Sequence, residues 1–416
     1  MSEASDQGLD PASEIGWLRT PEAIRARSGE VLAAGNRGEL THFAIDRERL
    51  DPTADYVISV IRENYPSLVV PYHSRWRHFT VGGRDRWSDL AAGLGHLDAA
   101  ERARVQFELV VISVFLDAGA GDAWRYVEPK TGAVLSRSEG LAIASFDFFS
   151  SGACSGDSDQ PLRADADALA TVDLQRLARA FQVSDNNPLA GIQGRVELLR
   201  RLGTALEATP SMFGTGPRIG NLYDYLAGHA REGQLPASAI LAALLKGFGE
   251  IWPGRIELAG VNLGDVGRHR SAGGEVPTTG LVPFHKLSQW LAYSLVEPLQ
   301  DAGIKITDLD QLTALAEYRN GGLLVDLGVL VPKHAAVLGE PHAGSSEIIV
   351  EWRALTIALI DQLADRIRRK LAMSAEQLPL ASILEGGTWS AGRKAAAERR
   401  PGGGPPIAVI SDGTLF

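Results

Sequence analysis

The stretch Gly280-Leu-Val-Pro-Phe-His-Lys-Leu-Ser-Gln-Trp-Leu-Ala-Tyr293 decides the fold class, because its apolar residues repeat at helical and not at strand spacing. On a helix starting near Pro283, Phe284, Leu287, Leu291 and Leu295 form one core-facing stripe. Lys286, Trp290 and Tyr293 follow its flank at i, i+4 and i+7. That spacing presents an ammonium to an aromatic-walled pocket, or else describes a snorkelling surface lysine. His285, at the helix start, is either a ligand-binding group or a satisfied structural one.

Outward from this stretch the same period recurs. Leu169, Leu174, Leu177, Ala178 and Phe181 make one stripe, and Phe107 to Leu116 belongs to another helix. Further helices are expected at 191–206, 221–231, 236–250, 283–300, 307–319 and 346–370. Strand-like material is confined to Ser67–Pro71 and Gly254–Gly264, with no strand–helix–strand series. Gly119-Ala-Gly121 and Gly214-Thr-Gly216 are too short and badly placed to cradle a nucleotide phosphate. The expected fold is therefore all-α.

With 416 residues the chain exceeds the ~250–300 at which single cores stop growing, so one large helical unit over 15–400 is expected, either undivided or with two lobes meeting near Lys286. Residues 1–14 read as a flexible leader without signal-peptide character, and 401–416 as a Gly/Pro linker and tail without chemistry. The formal charge of −10 argues against nucleic acid or an anionic membrane as partner. No apolar run reaches the ~20 residues of a membrane span, and a single cysteine, Cys154, fits a reducing compartment, so a cytoplasmic location is expected. Cys154 has no neighbouring His and reads as structural.

Two further segments carry candidate chemistry. Pro71-Tyr-His-Ser-Arg-Trp-Arg-His78 gathers His73, Arg75, Arg77 and His78, directional donors suited to an anion such as phosphate; the alternative is a solvated basic turn. His73 and His78 are five apart, which misses the i, i+4 pairing of a helical metal site, and no HExxH or Cys/His grid exists, so no metal is expected. In Leu312-Thr-Ala-Leu-Ala-Glu-Tyr-Arg-Asn-Gly-Gly322, Thr307 with Asp310 resembles a capping box upstream and Asn320-Gly321 a stop. Glu317 then falls in the last helical turn, where the helix dipole disfavours a carboxylate.

At these residues the sequence resembles the family of uracil-catabolism proteins numbered four in their pathway, long described as a domain of unknown function. The strings Val70-Pro-Tyr-His-Ser-Arg-Trp-Arg-His-Phe79, Leu116-Asp-Ala-Gly-Ala-Gly121, Arg137-Ser-Glu-Gly140, Asn187-Pro-Leu189 and Gly220-Asn-Leu-Tyr-Asp224 carry the resemblance, which spans residues 15–390. More distantly, Phe284-His-Lys-Leu-Ser-Gln-Trp-Leu-Ala292, Ala316-Glu-Tyr-Arg319, Leu327-Gly-Val-Leu330 and Glu351-Trp-Arg-Ala354 are similar to motifs of queuosine-nucleotide N-ribohydrolases, the queuine salvage enzymes. Those are all-helical proteins related in architecture to helix-hairpin-helix DNA glycosylases. A lysine and an aspartate in an Asp-Tyr-Arg string are critical there for cleaving an N-glycosidic bond. The matching positions here are Lys286 and Glu317, with Glu in place of Asp and Asn-Gly-Gly in place of Val-Pro-Gln.

The resemblance implies an N-ribosyl hydrolase of pyrimidine breakdown. Its substrate would be a small ribonucleotide or ribonucleoside derivative, a ribosylurea or ureido compound, as the 5′-phosphate. In this reading Glu317 and Lys286 are catalytic. His73, Arg75, Arg77, His78, His285, Trp290, Tyr293, Tyr318 and Arg319 bind substrate, and neither cofactor nor metal is needed. The rival readings are an amide or ureide hydrolase of the ring-opened pyrimidine, with Glu317 as general base, and a non-catalytic partner of the ring-opening enzyme.

Overall fold

The computed structural model describes residues 11–252, 256–273 and 278–410. The chain is predominantly helical, and among the described residues its strands are two or three residues long and joined only in two-stranded pairs. The all-α expectation is corrected to that extent. Ser67–Pro71 forms no strand, whereas Glu257–Leu258 and Val261–Asn262 pair as a small hairpin inside the second expected stretch, whose Gly254 and Arg255 lie outside the described residues. The stripe from Leu169 to Phe181 is split into helices Ala166–Ala170 and Leu174–Ala180, because Asp173 caps the second by accepting from Arg176 N–H at 2.7 Å.

The central helix is Lys286–Asp301, buried along most of its length and packed against helices Ala99–Phe115 and Ala237–Phe248. Pro298 interrupts its ladder by removing the donor that would reach the Ser294 carbonyl. Trp76 supplies the missing bond through its indole N–H at 2.9 Å, and Ser294 Oγ accepts from Arg75 N–H at 2.9 Å. The defect in the helix is therefore the dock that holds the His73–His78 turn.

The helix expected over 307–319 is absent. Lys305–Thr307 pairs in parallel with Gln234–Pro236, Leu309–Gln311 is one 3₁₀ turn, and residues 312–316 run without regular structure. Their carbonyls need no helix, because the Arg25 guanidinium donates to those of Asp310, Gln311 and Leu312 at 2.8, 2.5 and 2.7 Å, and Tyr293 donates to that of Thr313 at 3.0 Å. The helix begins instead at Tyr318 and runs to Asp326. Asn320-Gly-Gly322 is thus the first turn and not a stop. Gly321 is required by close approach: a Cβ there would lie 2.7 Å from Trp352 and Thr356 on the long helix Glu347–Leu371.

One continuous apolar core joins these elements, beside a small satellite of Ile15, Leu18, Leu263, Val266 and Leu281. Residues 1–10 of the expected leader lie outside the described residues, and residues 11–14 open helix Pro11–Leu18, whose later residues Ile15 and Leu18 belong to that satellite. The segment after Pro401 is laid on the body as far as it is described, with Ile407 fully buried and Val409–Ile410 paired with His342–Ala343. No described helix is long and apolar enough to cross a membrane.

Candidate functional site

Lys286 is the first residue of its helix and Glu317 the N-cap of the next, so two helix N-termini bring together residues 31 apart in sequence. The expectation that Glu317 closes a helix is overturned. Its carboxylate accepts from Asn320 N–H at 2.8 Å, at the end of the helix where a negative charge is stabilised. Asn320 is locked by donating to the Leu315 carbonyl at 3.1 Å and accepting from Thr388 Oγ at 2.8 Å. Glu317 itself is 8% exposed.

Burial lowers the Lys286 ammonium from its ordinary pKa, and the Glu317 carboxylate is the leading charge that opposes this, followed by Asp117. Yet Lys286 forms no ion pair among the described residues. An ammonium and two carboxylates therefore act on one another without closing a salt bridge. Asp117 is anchored on its far side by Arg75 at 2.9 Å and by Ser138 Oγ, 2.8 and 2.7 Å from its two oxygens. Burial raises its pKa, against the pull of Arg75. The loop after Asp117 is held by fully buried Arg195, which donates to the carbonyls of Leu116 at 3.0 Å and of Ala118 and Ala190.

A buried ion pair positions both catalytic candidates. Asp265 takes Arg353 in a bidentate pair, 2.7 and 2.7 Å, and accepts from Lys286 N–H at 2.9 Å, capping that helix. Arg353 also donates to the Ala316 carbonyl at 3.3 Å, next to Glu317. Burial would raise the Asp265 pKa, but Arg353 and the Lys286 N–H hold it at about 2.

Beside this cluster Trp290 and Trp389 enclose His73 and His78, with ring centroids 5.7 to 6.0 Å apart. Trp389 and Glu385 sit on a π-helical turn, Ile383–Trp389, the wide helical geometry frequent at functional sites. Glu385 pairs with His73 Nδ1 at 2.6 Å. Arg75 lies over the Trp290 ring, 5.5 Å from its centroid. Burial, then Arg75, pushes the His78 pKa well down, and Trp290 Nε1 and one terminal nitrogen of Arg75 are buried without a partner among the described residues. Such orphaned groups facing one locality are what a polar ligand would satisfy.

A model of the family described as "Protein of unknown function (DUF1688)" matches residues 17–416. The "Uracil catabolism protein 4" of Lachancea kluyveri is 36% identical over 97% of this chain and 99% of its own length. "Protein urg3" of Schizosaccharomyces pombe is 38% identical over 97% of this chain and 99% of its own. The chain belongs to the DUF1688 family.

In this DUF1688 protein several of the expected binding residues face elsewhere. Arg77 is paired with Glu297 at 2.5 Å, near the surface. His285, in the left-handed conformation at φ 47°, has Nε2 3.0 Å from the Leu18 carbonyl. Tyr293 donates its hydroxyl to the Thr313 carbonyl at 3.0 Å. Tyr318 and Arg319 stay close to the cluster, the Arg319 guanidinium lying 4.9 Å from the Tyr318 ring centroid. Cys154 is fully buried and its thiol pKa is raised by that burial, which leaves it unreactive. Sequence reasoning missed Asp117, Ser138, Asp265, Arg353, Glu385 and Trp389. Asp117, Ser138 and Arg353 lay within strings that carried the resemblance, whereas Ile383-Leu-Glu-Gly-Gly-Thr-Trp389 gave no helical or strand period to mark it.

Proposed function

We propose that this protein is an N-ribosyl hydrolase of uracil catabolism that cleaves a ribosylurea or ureido ribonucleoside, in its 5′-phosphate form, after another enzyme has opened the pyrimidine ring. The name of the Lachancea kluyveri relative supports the pathway. The observation that carries the chemistry is the buried carboxylate of Glu317 at a helix N-terminus, within electrostatic reach of a partly desolvated Lys286 that forms no ion pair among the described residues.

Breaking the bond from the anomeric carbon to nitrogen develops positive charge on the sugar, which the Glu317 carboxylate stabilises. Glu317 takes a proton from the attacking water as the new carbon–oxygen bond forms. The leaving nitrogen accepts a proton from Lys286, whose lowered pKa makes its ammonium a better donor. Transfer of the proton from Glu317 back to Lys286 resets the site, and the products are the sugar and urea, or the corresponding ureido compound when the leaving nitrogen carries one. Asp117 and Arg75 hold the local charge balance, and Trp290 and Trp389 exclude water. The reaction uses no cofactor.

Mass spectrometry of the purified protein with ribosylurea, its 5′-phosphate, uridine 5′-monophosphate and the ring-opened nucleotide tests this. Release of urea with free or phosphorylated ribose is expected. Ammonia release with the glycosidic bond intact would make it a ureide hydrolase, and no turnover of any of the four would make it a non-catalytic partner.

A further inference from the structure

The C-terminal arm, which the sequence gives no chemistry, borders a cleft of about 460 Å³ lined by Arg137, Arg319, Arg393, Arg399 and Arg400, by Ala397 and the carboxylate residue Glu398, and by the Pro401–Gly403 turn. Four of the five arginines have carboxylate partners: Arg400 with Asp326 at 2.6 Å, Arg393 with Glu139 at 2.7 Å, Arg399 with Glu398 at 3.5 Å and Arg137 with Asp122 at 3.6 Å. Arg319 differs. It is 6% exposed, forms no ion pair among the described residues, donates from one terminal nitrogen to the Gly403 carbonyl at 2.8 Å, and keeps a buried Nε without a partner. A buried guanidinium without a counter-ion is costly to keep, and its fork matches two oxygens of a phosphate.

The cleft adjoins the inner site. Arg319 and Tyr318 directly follow Glu317, and Arg137 precedes Ser138, the residue on Asp117. Residues that line the cleft are thus chain neighbours of residues at both carboxylates, Glu317 and Asp117. Arg393 reaches in the other direction, over Trp389 at 5.7 Å.

We infer that the cleft under the C-terminal arm is a phosphate-monoester subsite, with Arg319 as its principal ligand and Arg137 and Arg393 at its rim. That the monoester is the 5′-phosphate of the sugar cleaved at Glu317 rests on the N-ribosyl hydrolase reading; the anion site does not.

Calorimetric titration of the full chain with ribose 5-phosphate, ribose and inorganic phosphate tests it. The chain should bind ribose 5-phosphate at least about tenfold more tightly than ribose, and Arg319→Gln should remove that advantage. If Arg319→Gln fails to fold, the rim variant Arg137→Gln/Arg393→Gln should weaken ribose 5-phosphate several-fold without affecting ribose. Ribose 5-phosphate and inorganic phosphate binding through Arg319 in a protein that hydrolyses no ribosyl bond would uphold the anion site and remove the catalytic reading. Equal affinity for ribose and ribose 5-phosphate, or undiminished ribose 5-phosphate binding in the folded arginine variants, would overturn the inference.

Discussion

Lys286 carries a charge that its surroundings desolvate, and the carboxylates that oppose the loss do not touch it. Its pKa lies below the ordinary 10.5, so folding disfavours its charged form and the native protein gains stability as pH rises from the lowered value toward 10.5. Two outcomes follow for Lys286→Met. Near pH 7 it should melt no lower than the unaltered protein, and its advantage should shrink at alkaline pH. Turnover of the unaltered protein should fall at a pH below 10.5 as the ammonium is lost, a limb missing from the residual activity of Lys286→Met. If Lys286 and Glu317 work as one unit, the double variant will be less impaired than the product of the single losses.

At the scale of elements, the site depends on how three helices begin and approach. Asp265 caps the Lys286 helix and holds Arg353, which reaches the segment before Glu317. Its folded pKa of about 2 lies below the ordinary 3.8, so its stabilisation is fully present above pH 4 and is lost as pH falls toward 2. Asp265→Asn, which strands a buried guanidinium, should cost about 3–5 kcal/mol at pH 7 by denaturant titration, a deficit that narrows below pH 4. Gly321→Ala should cost about 1–3 kcal/mol and lower turnover, since its methyl would meet Trp352 and Thr356 and displace the helix that Glu317 caps.

These elements also show what was legible in the sequence. Helices 192–208, 237–248, 286–301 and 347–371 carry apolar stripes on long runs, and their period alone placed them within a few residues. The segment 307–317 misled because Leu309, Leu312 and Ala316 mimic a helical stripe. Leu309 is half-buried in a 3₁₀ turn, and Leu312 and Ala316 are buried in the irregular segment after it; the carbonyls of 310–312 are satisfied by Arg25, 285 to 287 residues away, a long-range contact without a local signal. Gly321 was read as a helix stop for a similar reason, because its need for close packing comes from Trp352 on another helix.

Over the whole molecule the core is continuous, and the groups that build the site come from segments as distant as His73, Asp117, Lys286, Glu317 and Trp389. Such a site exists only in the assembled fold, and the chemistry proposed for it rests on one carboxylate. The most direct measurement is the rate of urea release from ribosylurea 5′-phosphate by the unaltered protein and by Glu317→Gln, compared at saturating substrate. Gln keeps the size and removes the charge, and it weakens the helix cap by ~1 kcal/mol, which leaves the protein folded. The account predicts a turnover at least ~100-fold lower with little change in KM; urea release by Glu317→Gln at the rate of the unaltered protein would contradict it.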